Sequence, residues 1–184
     1  GERIGARFVS SFRGFDLNFA GESQYRALWR RLDGAHFLGH HLRAVALERG
    51  CPRDLPFRLI PPAVDPERYP PRVEGEPSSR KPIPLRLLSV GRLEWKKGHE
   101  DALLAVRRLR DAGVDCRNEI VGDGRHREPI AFARHQLGLE DVVELTGAQS
   151  HDAVIEAMRR SDILVHLALT EGFCNAVLEA QAVG

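Results

Sequence analysis

The sequence predicts an α/β protein built from two doubly wound parallel-sheet domains. Three observations lead there. Short apolar runs of strand type alternate with single segments of helical apolar spacing along most of the chain. Strands joined through a helix rather than a tight turn pair in parallel, by right-handed crossovers. Eight of the 11 prolines crowd between Pro61 and Pro84, in "PPAVDPERYPPRVEGEPSSRKPIP". That cluster excludes helix and central strand, and so separates two partial domains.

The elements follow in chain order. Before the proline cluster the sequence predicts a strand from Arg7 to Ser11, a helix from Ser23 to Leu32, and a short strand from Ala35 to Leu38. A helix from His40 to Glu48 and a strand from Phe57 to Ile60 complete that part. Residues 1–64 are therefore assigned to a first domain, 65–84 to a linker, and 85–184 to a second domain. In the second, "LRLLSVG" is a buried strand and "GHEDALLAVRRLRDAG" a helix with a glycine stop at Gly113. "CRNEIVGDG" is a strand and turn, and "EPIAFARHQLGL" a helix starting near Pro129. "DVVELTG" is a strand, "SHDAVIEAMRRS" a helix capped by Ser150, and "DILVHLAL" a strand. A last helix starts near Asn175, which serves as its cap.

Composition narrows the function. With Lys+Arg 27 against Asp+Glu 26, the chain carries no net field to attract nucleic acid or membrane. Anion binding must come from a few placed residues. The cysteines Cys51, Cys116 and Cys174 lie far apart and form no CxxC pair, which fits a reducing cytoplasm rather than a disulfide or thiolate-metal site. No run reaches the roughly 18 apolar residues of a membrane span, and no signal peptide opens the chain. Both ends read as cut, so the sequence predicts an internal segment of a longer protein.

In sheets of this class, ligands sit beyond the carboxyl ends of the strands, so the strand-to-helix turns hold the candidate site. After "LLSV" comes "GRLEWKKG", where Arg92 and Lys97 flank a turn. A planar donor fork and a mobile point charge suit a diphosphate, and a solvated basic loop is the plainer alternative. "GDG", from Gly122 to Gly124, allows close backbone approach or positive φ. It is neither a dinucleotide fingerprint nor a Walker-type loop. Thr146 and Gly147 form a similar weak turn.

The turn after the last strand is the most informative. In "LTEGFCNAVLEAQAVG", Glu171 and Glu179 are separated by seven residues. Glu171 falls in the loop and Glu179 in the first turns of the helix. A helix N-terminus offers free N–H groups and partial positive charge to phosphate oxygens. A carboxylate is a bidentate acceptor for vicinal hydroxyls, as on a ribose or hexose. Both glutamates could instead merely complement the helix dipole.

Together these segments resemble the retaining glycosyltransferases of family 4, which have the GT-B architecture of two Rossmann-like domains. The resemblance rests on "LIPPAVDPERY", "VGRLEWKKG", "IVGDGRHREPI", "LGLEDVVELTG" and "SDILVHLALTEGFCNAVLEAQAVG". It spans nearly the whole chain and is strongest from Leu85 to Gly184.

The resemblance implies an enzyme moving a hexose-type sugar from a UDP-, GDP- or ADP-sugar to a polysaccharide or lipid-linked acceptor, with no tightly bound cofactor or metal. Arg92 and Lys97 would contact the donor diphosphate. Glu171 would hold donor-sugar hydroxyls, beside the backbone of Gly172, Phe173 and Cys174. Glu179 would accept from the ribose, and the turns at Gly122 and Gly147 would border the base. Members often carry a His-Gly-x-Asp turn in the first domain. Here "RGFD" stands in its place, with Arg13 at the histidine position and Asp16 kept. Arginine is no base at neutral pH, but it can hold a hydroxyl or phosphate. The residue after "EGF", often glycine, is Cys174. The resemblance also implies a longer first domain and further elements after Gly184, and hence an isolated segment with little or no activity.

Other features have structural readings beside functional ones. In the small cluster His36, His40 and His41, the two adjacent histidines point to different faces of a helix, which argues against a shared metal. His166 lies in an apolar strand, as a core residue or one facing the crevice. "YRALWRRL" is amphipathic and basic. Packing on the first sheet is its plain reading, and peripheral contact with the inner membrane face stays open because many acceptors are lipid-linked. A non-catalytic nucleotide-binding or regulatory module is the alternative of another class, which would need the crevice but not Glu171.

Overall fold

The computed structural model describes residues 5–19, 22–71 and 84–184. Most of the proline-rich linker expected at 65–84 lies outside the described residues. The chain divides into two compact units, Gly1–Ala63 with Thr170–Cys174, and Val64–Leu169 with Asn175–Gly184.

The first unit is a parallel sheet in the order β1-β2-β3, formed by β1 (Val9–Phe12), β2 (Gly34–Phe37) and β3 (Phe57–Leu59). Helices α1 (Phe15–Phe19), α2 (Glu22–Trp29) and α3 (His40–Glu48) connect and cover it. Phe12, Leu17, Tyr25, Trp29, Phe37, Leu42 and Ala46 fill its core. The rings of Phe12 and Phe37 stack with centroids 5.4 Å apart, and Trp29 packs on Phe12 at 5.1 Å. The buried Trp29 indole N–H is satisfied by the Arg49 carbonyl at 2.9 Å. The apolar stripe of α2 is thus spent on this core.

The second unit contains β4 (Leu85–Val90), β5 (Cys116–Val121), β6 (Val143–Gly147) and β7 (Ile163–Leu164), all parallel, in the order β6-β5-β4-β7. Its helices are α4 (His99–Asp111), α5 (Arg127–Gln136), α6 (His151–Arg160) and α7 (Asn175–Val183). Strand periodicity sends neighbouring apolar residues to opposite faces. Leu87 and Ile120 join Leu103, Val106 and Ile130 of α4 and α5. Leu88 and Val121 join Ile155, Met158 and Val183 of α6 and α7. Both faces are therefore buried, as continuous apolar strands require.

Three expectations change in detail. Helix α1 falls where none is expected; its five residues are too few to show a helical period. The strand expected over "DILVHLAL" pairs only at Ile163 and Leu164 against Leu87 and Leu88. Beyond it the chain stays irregular, tied by Val165 N–H to the Leu88 carbonyl at 2.7 Å and by Leu169 N–H to the Lys96 carbonyl at 2.9 Å. Asn175 is the first residue of α7 itself rather than the residue preceding it.

Candidate functional site

Strand order in the second unit fixes where a ligand crevice can open. From β4 the chain moves outward through β5 to β6, and then returns to place β7 on the other side of β4. The connection leaving β4 leads to α4 on one face of the sheet and that leaving β7 leads to α7 on the other, so the gap between these two strands is the candidate switch point. The β4 connection carries Arg92 and Lys97, and the β7 connection leads into α7 with Glu179. The two connections are joined by the Leu169 to Lys96 backbone bond.

The β4 connection is more organised than its sequence suggests. Glu94 binds Arg92 at 3.0 Å and Lys96 at 3.3 Å. Arg92 remains largely solvent-facing, whereas Lys96 is buried. The turn ends at Gly98, and α4 begins at once with His99. That imidazole is buried, and its Nε2 lies 3.1 Å from the Arg92 carbonyl. A carbonyl only accepts, so Nε2 carries the proton. Burial pushes the His99 pKa below its usual value, partly opposed by this bond. Glu94, Lys96 and His99 were not singled out from sequence. A charged residue buried beside two neighbours of mixed sign leaves no periodic trace.

Gly122 and Gly147 do come together. Gly91 N–H donates to the Val121 carbonyl at 3.0 Å, and Gly122 N–H to the Gly147 carbonyl at 2.9 Å. The carboxyl ends of β4, β5 and β6 are thereby laced edge to edge. Gly122 has φ +148, and a Cβ there would stand 1.9 Å from the Gly91 carbonyl oxygen. Only glycine permits that approach.

The remaining expected residues lie in the first unit. Asp16 ties down the "RGFD" turn, accepting from Arg13 N–H at 3.1 Å and Gly14 N–H at 2.8 Å. The Asp16 carbonyl accepts from the Tyr25 hydroxyl. The segment Thr170–Cys174, which contains Glu171, Gly172, Phe173 and Cys174, packs on this turn. Asn18 Nδ2 donates to Thr170 Oγ1 at 2.7 Å. A Cβ on Gly14 would stand 2.7 Å from Gly172 Cα, and one on Gly172 would stand 1.9 Å from the Arg13 carbonyl oxygen. Glu171 and Cys174 are half-buried, and Phe173 is exposed.

A cavity of about 360 Å³ in the second unit lies elsewhere. It is lined by Arg86, Asn118, Arg134 and Val143, at the amino ends of the strands, and is not part of this site.

Similarity to known proteins shows the family and the fold. The family described as glycosyl transferases group 1 matches residues 76–184, more than half of the chain. The chain belongs to the group 1 glycosyl transferases. Its relatives include a putative colanic acid biosynthesis glycosyltransferase, WcaL of Escherichia coli. The two are 30% identical over 192 residues, covering 98% of this chain and 46% of the relative. The amylovoran biosynthesis glycosyltransferase AmsK of Erwinia amylovora is 36% identical over 107 residues, 55% of this chain and 26% of the relative. This group 1 chain thus spans about half the length, or less, of the curated relatives it matches. Among solved structures, Anabaena Alr3699/HepE in complex with UDP-glucose superposes with TM-score 0.79 at 17% identity, over 96% of this chain and 51% of that one. Pneumococcal GtfA, an O-GlcNAc transferase in complex with UDP and GlcNAc, gives TM-score 0.73 at 17% identity, over 96% of this chain and 36% of that one. At these identities the likeness establishes the fold, α/β of GT-B type.

Proposed function

We propose that the whole protein transfers a hexose-type sugar from a nucleotide sugar to a glycan or lipid-linked acceptor. The observation that carries the reading is the switch point. There the Arg92–Lys97 connection and the helix bearing Glu179 follow adjacent strands on opposite faces of the sheet. Arg92 and Lys97 hold the donor diphosphate, and their charge stabilises it as it departs with the bonding pair from the anomeric carbon. The acceptor oxygen forms the new glycosidic bond and passes its proton to an oxygen of the departing diphosphate. Glu179 accepts from the ribose hydroxyls, and the turns at Gly122 and Gly147 border the base. Glu171 holds the donor sugar, with the backbone of Gly172, Phe173 and Cys174 around it and the turn of Arg13 and Asp16 beside it. The family 4 reading adds retention of anomeric configuration and the choice among UDP, GDP and ADP. UDP is favoured because the solved neighbours GtfA and HepE hold UDP and UDP-glucose. Three cysteines without disulfides support a cytoplasmic location. No described helix is long and apolar enough to cross a membrane, and peripheral contact with the inner face is part of the proposal.

The test is a thermal-shift and calorimetry panel on the full-length protein with UDP, GDP and ADP. One nucleotide should raise Tm by several degrees at about 100 times its Kd. Glu179→Ala should abolish that shift. Glu171→Gln should keep it while losing transfer. Absence of stabilisation by every nucleotide in folded protein overturns the reading. Transfer that survives Glu171→Gln removes that residue from the chemistry.

A further inference from the structure

Tyr69 lies in the second unit, outside the turns that carry the functional reading. A short turn delivers it. Asp65 Oδ1 accepts from Glu67 N–H at 3.1 Å, and the Asp65 carbonyl accepts from Arg68 N–H at 3.0 Å. Pro66 presets the backbone in between. The ring is buried, 5% exposed, against the same cluster as Ala176, Ala180 and Val183. These three share one stripe of α7. The imidazole of His151, first residue of α6, meets the ring edge to face with centroids 5.5 Å apart.

A phenol buried this deeply must satisfy its hydroxyl. Tyr69 Oη lies 2.7 Å from His151 Nε2, and the ring packs on the α7 stripe that flanks Glu179, whose carboxylate is close enough to push the phenol pKa up. The protons can be assigned by counting. An ionised carboxylate only accepts, so the single Tyr69 hydroxyl proton points to Glu179. His151 Nε2 must then carry the proton that it donates to Tyr69 Oη.

We propose that Tyr69, backed by His151, is a positioning residue that clamps one oxygen of Glu179 and so presents the other to the vicinal hydroxyls of the nucleotide ribose. This rests on the proposed role of Glu179. A glutamate with three free torsions would sample many placements, and the chain of donors selects one before ligand arrives. Burial first, and then the neighbouring Glu179 carboxylate, push the Tyr69 phenol up, so it stays a donor throughout the physiological range. The inference reaches a residue 82 positions from its imidazole partner.

The experiment measures Kd for UDP and 2′,3′-dideoxy-UDP, with the guanosine and adenosine pairs alongside. It uses full-length wild type, Tyr69→Phe, Glu179→Gln and the double variant. Glu179→Gln should erase the preference for the ribose form. Tyr69→Phe keeps the ring packing and should lower that preference about fivefold. It should also raise KM for the sugar nucleotide with kcat nearly kept, and it should add nothing on top of Glu179→Gln. Full ribose preference in Tyr69→Phe, or additivity in the double variant, overturns this inference and leaves the Glu179 reading standing. Ribose preference that survives Glu179→Gln overturns both. If Tyr69→Phe does not fold, His151→Ala at an exposed position carries the test: a reduced preference supports the clamp, and an unchanged one refutes it.

Discussion

Single residues set the chemistry of the β4 connection, and His99 is where pH acts on it. The buried imidazole donates from Nε2 to the Arg92 carbonyl and is held neutral by desolvation, below its usual pKa of 6.5. The unfolded chain therefore binds more protons than the folded one as pH falls below 6.5. Stability is fully present above that value and is lost progressively from there down toward the lowered folded pKa. Lowering pH from about 7.5 to about 5.5 should depress Tm, and His99→Gln, which can still donate to the carbonyl, should flatten that fall. An equally steep fall in His99→Gln would assign the acid sensitivity to other groups. Arg92, Lys97 and the two glutamates could be named as candidates from sequence because charge in a glycine-bounded turn, or beside a helix start, is visible locally. Glu94, Lys96, His99 and Tyr69 could not. Their significance depends on burial and on partners that include His151, which spacing does not encode.

At the scale of elements, legibility followed length and capping. Helix α3 agrees with expectation at both ends, His40–Glu48, and α6 begins right after its expected Ser150 cap. Both have enough turns for a 3.6-residue period to show. Helix α1, with five residues, does not. The run "DILVHLAL" is largely apolar, yet only Ile163 and Leu164 pair, and Ile163, Leu167 and Leu169 are exposed. Hydropathy fixes neither burial nor hydrogen bonding here. The α6 cap is a direct check. Ser150 Oγ accepts from Ala153 N–H at 3.3 Å, satisfying one orphan donor of the first turn. Ser150→Ala should cost about 1 kcal/mol in denaturant unfolding, and Ser150→Thr much less. Equal stability of all three would mean that solvent satisfies the donor equally well.

The whole molecule departs from sequence order at one place. The chain passes from the first unit to the second after Ala63, returns for Thr170–Cys174, and leaves again at Asn175. A proline cluster signals the first passage. Nothing in composition signals the return, because "TEGFC" is held by fit rather than by pattern. Gly172 approaches the Arg13 carbonyl so closely that a Cβ would stand 1.9 Å from it, and Gly14 lies against Gly172 in turn. Gly172→Ala must push these backbones apart, at a cost of about 2 kcal/mol. Although its sequence neighbours β7 and α7 belong to the second unit, the damage should appear in the first. Hydrogen exchange is expected to quicken in the Arg13–Asn18 turn, where Asn18 N–H is bonded to the Gly14 carbonyl at 2.9 Å. Exchange in β4 and β5 is expected to stay slow. Faster exchange confined to β7 and α7, with the "RGFD" turn unchanged, would show that Thr170–Cys174 folds with its sequence neighbours. It would also separate Glu171 from the turn of Arg13 and Asp16 that the proposed donor-sugar site places beside it.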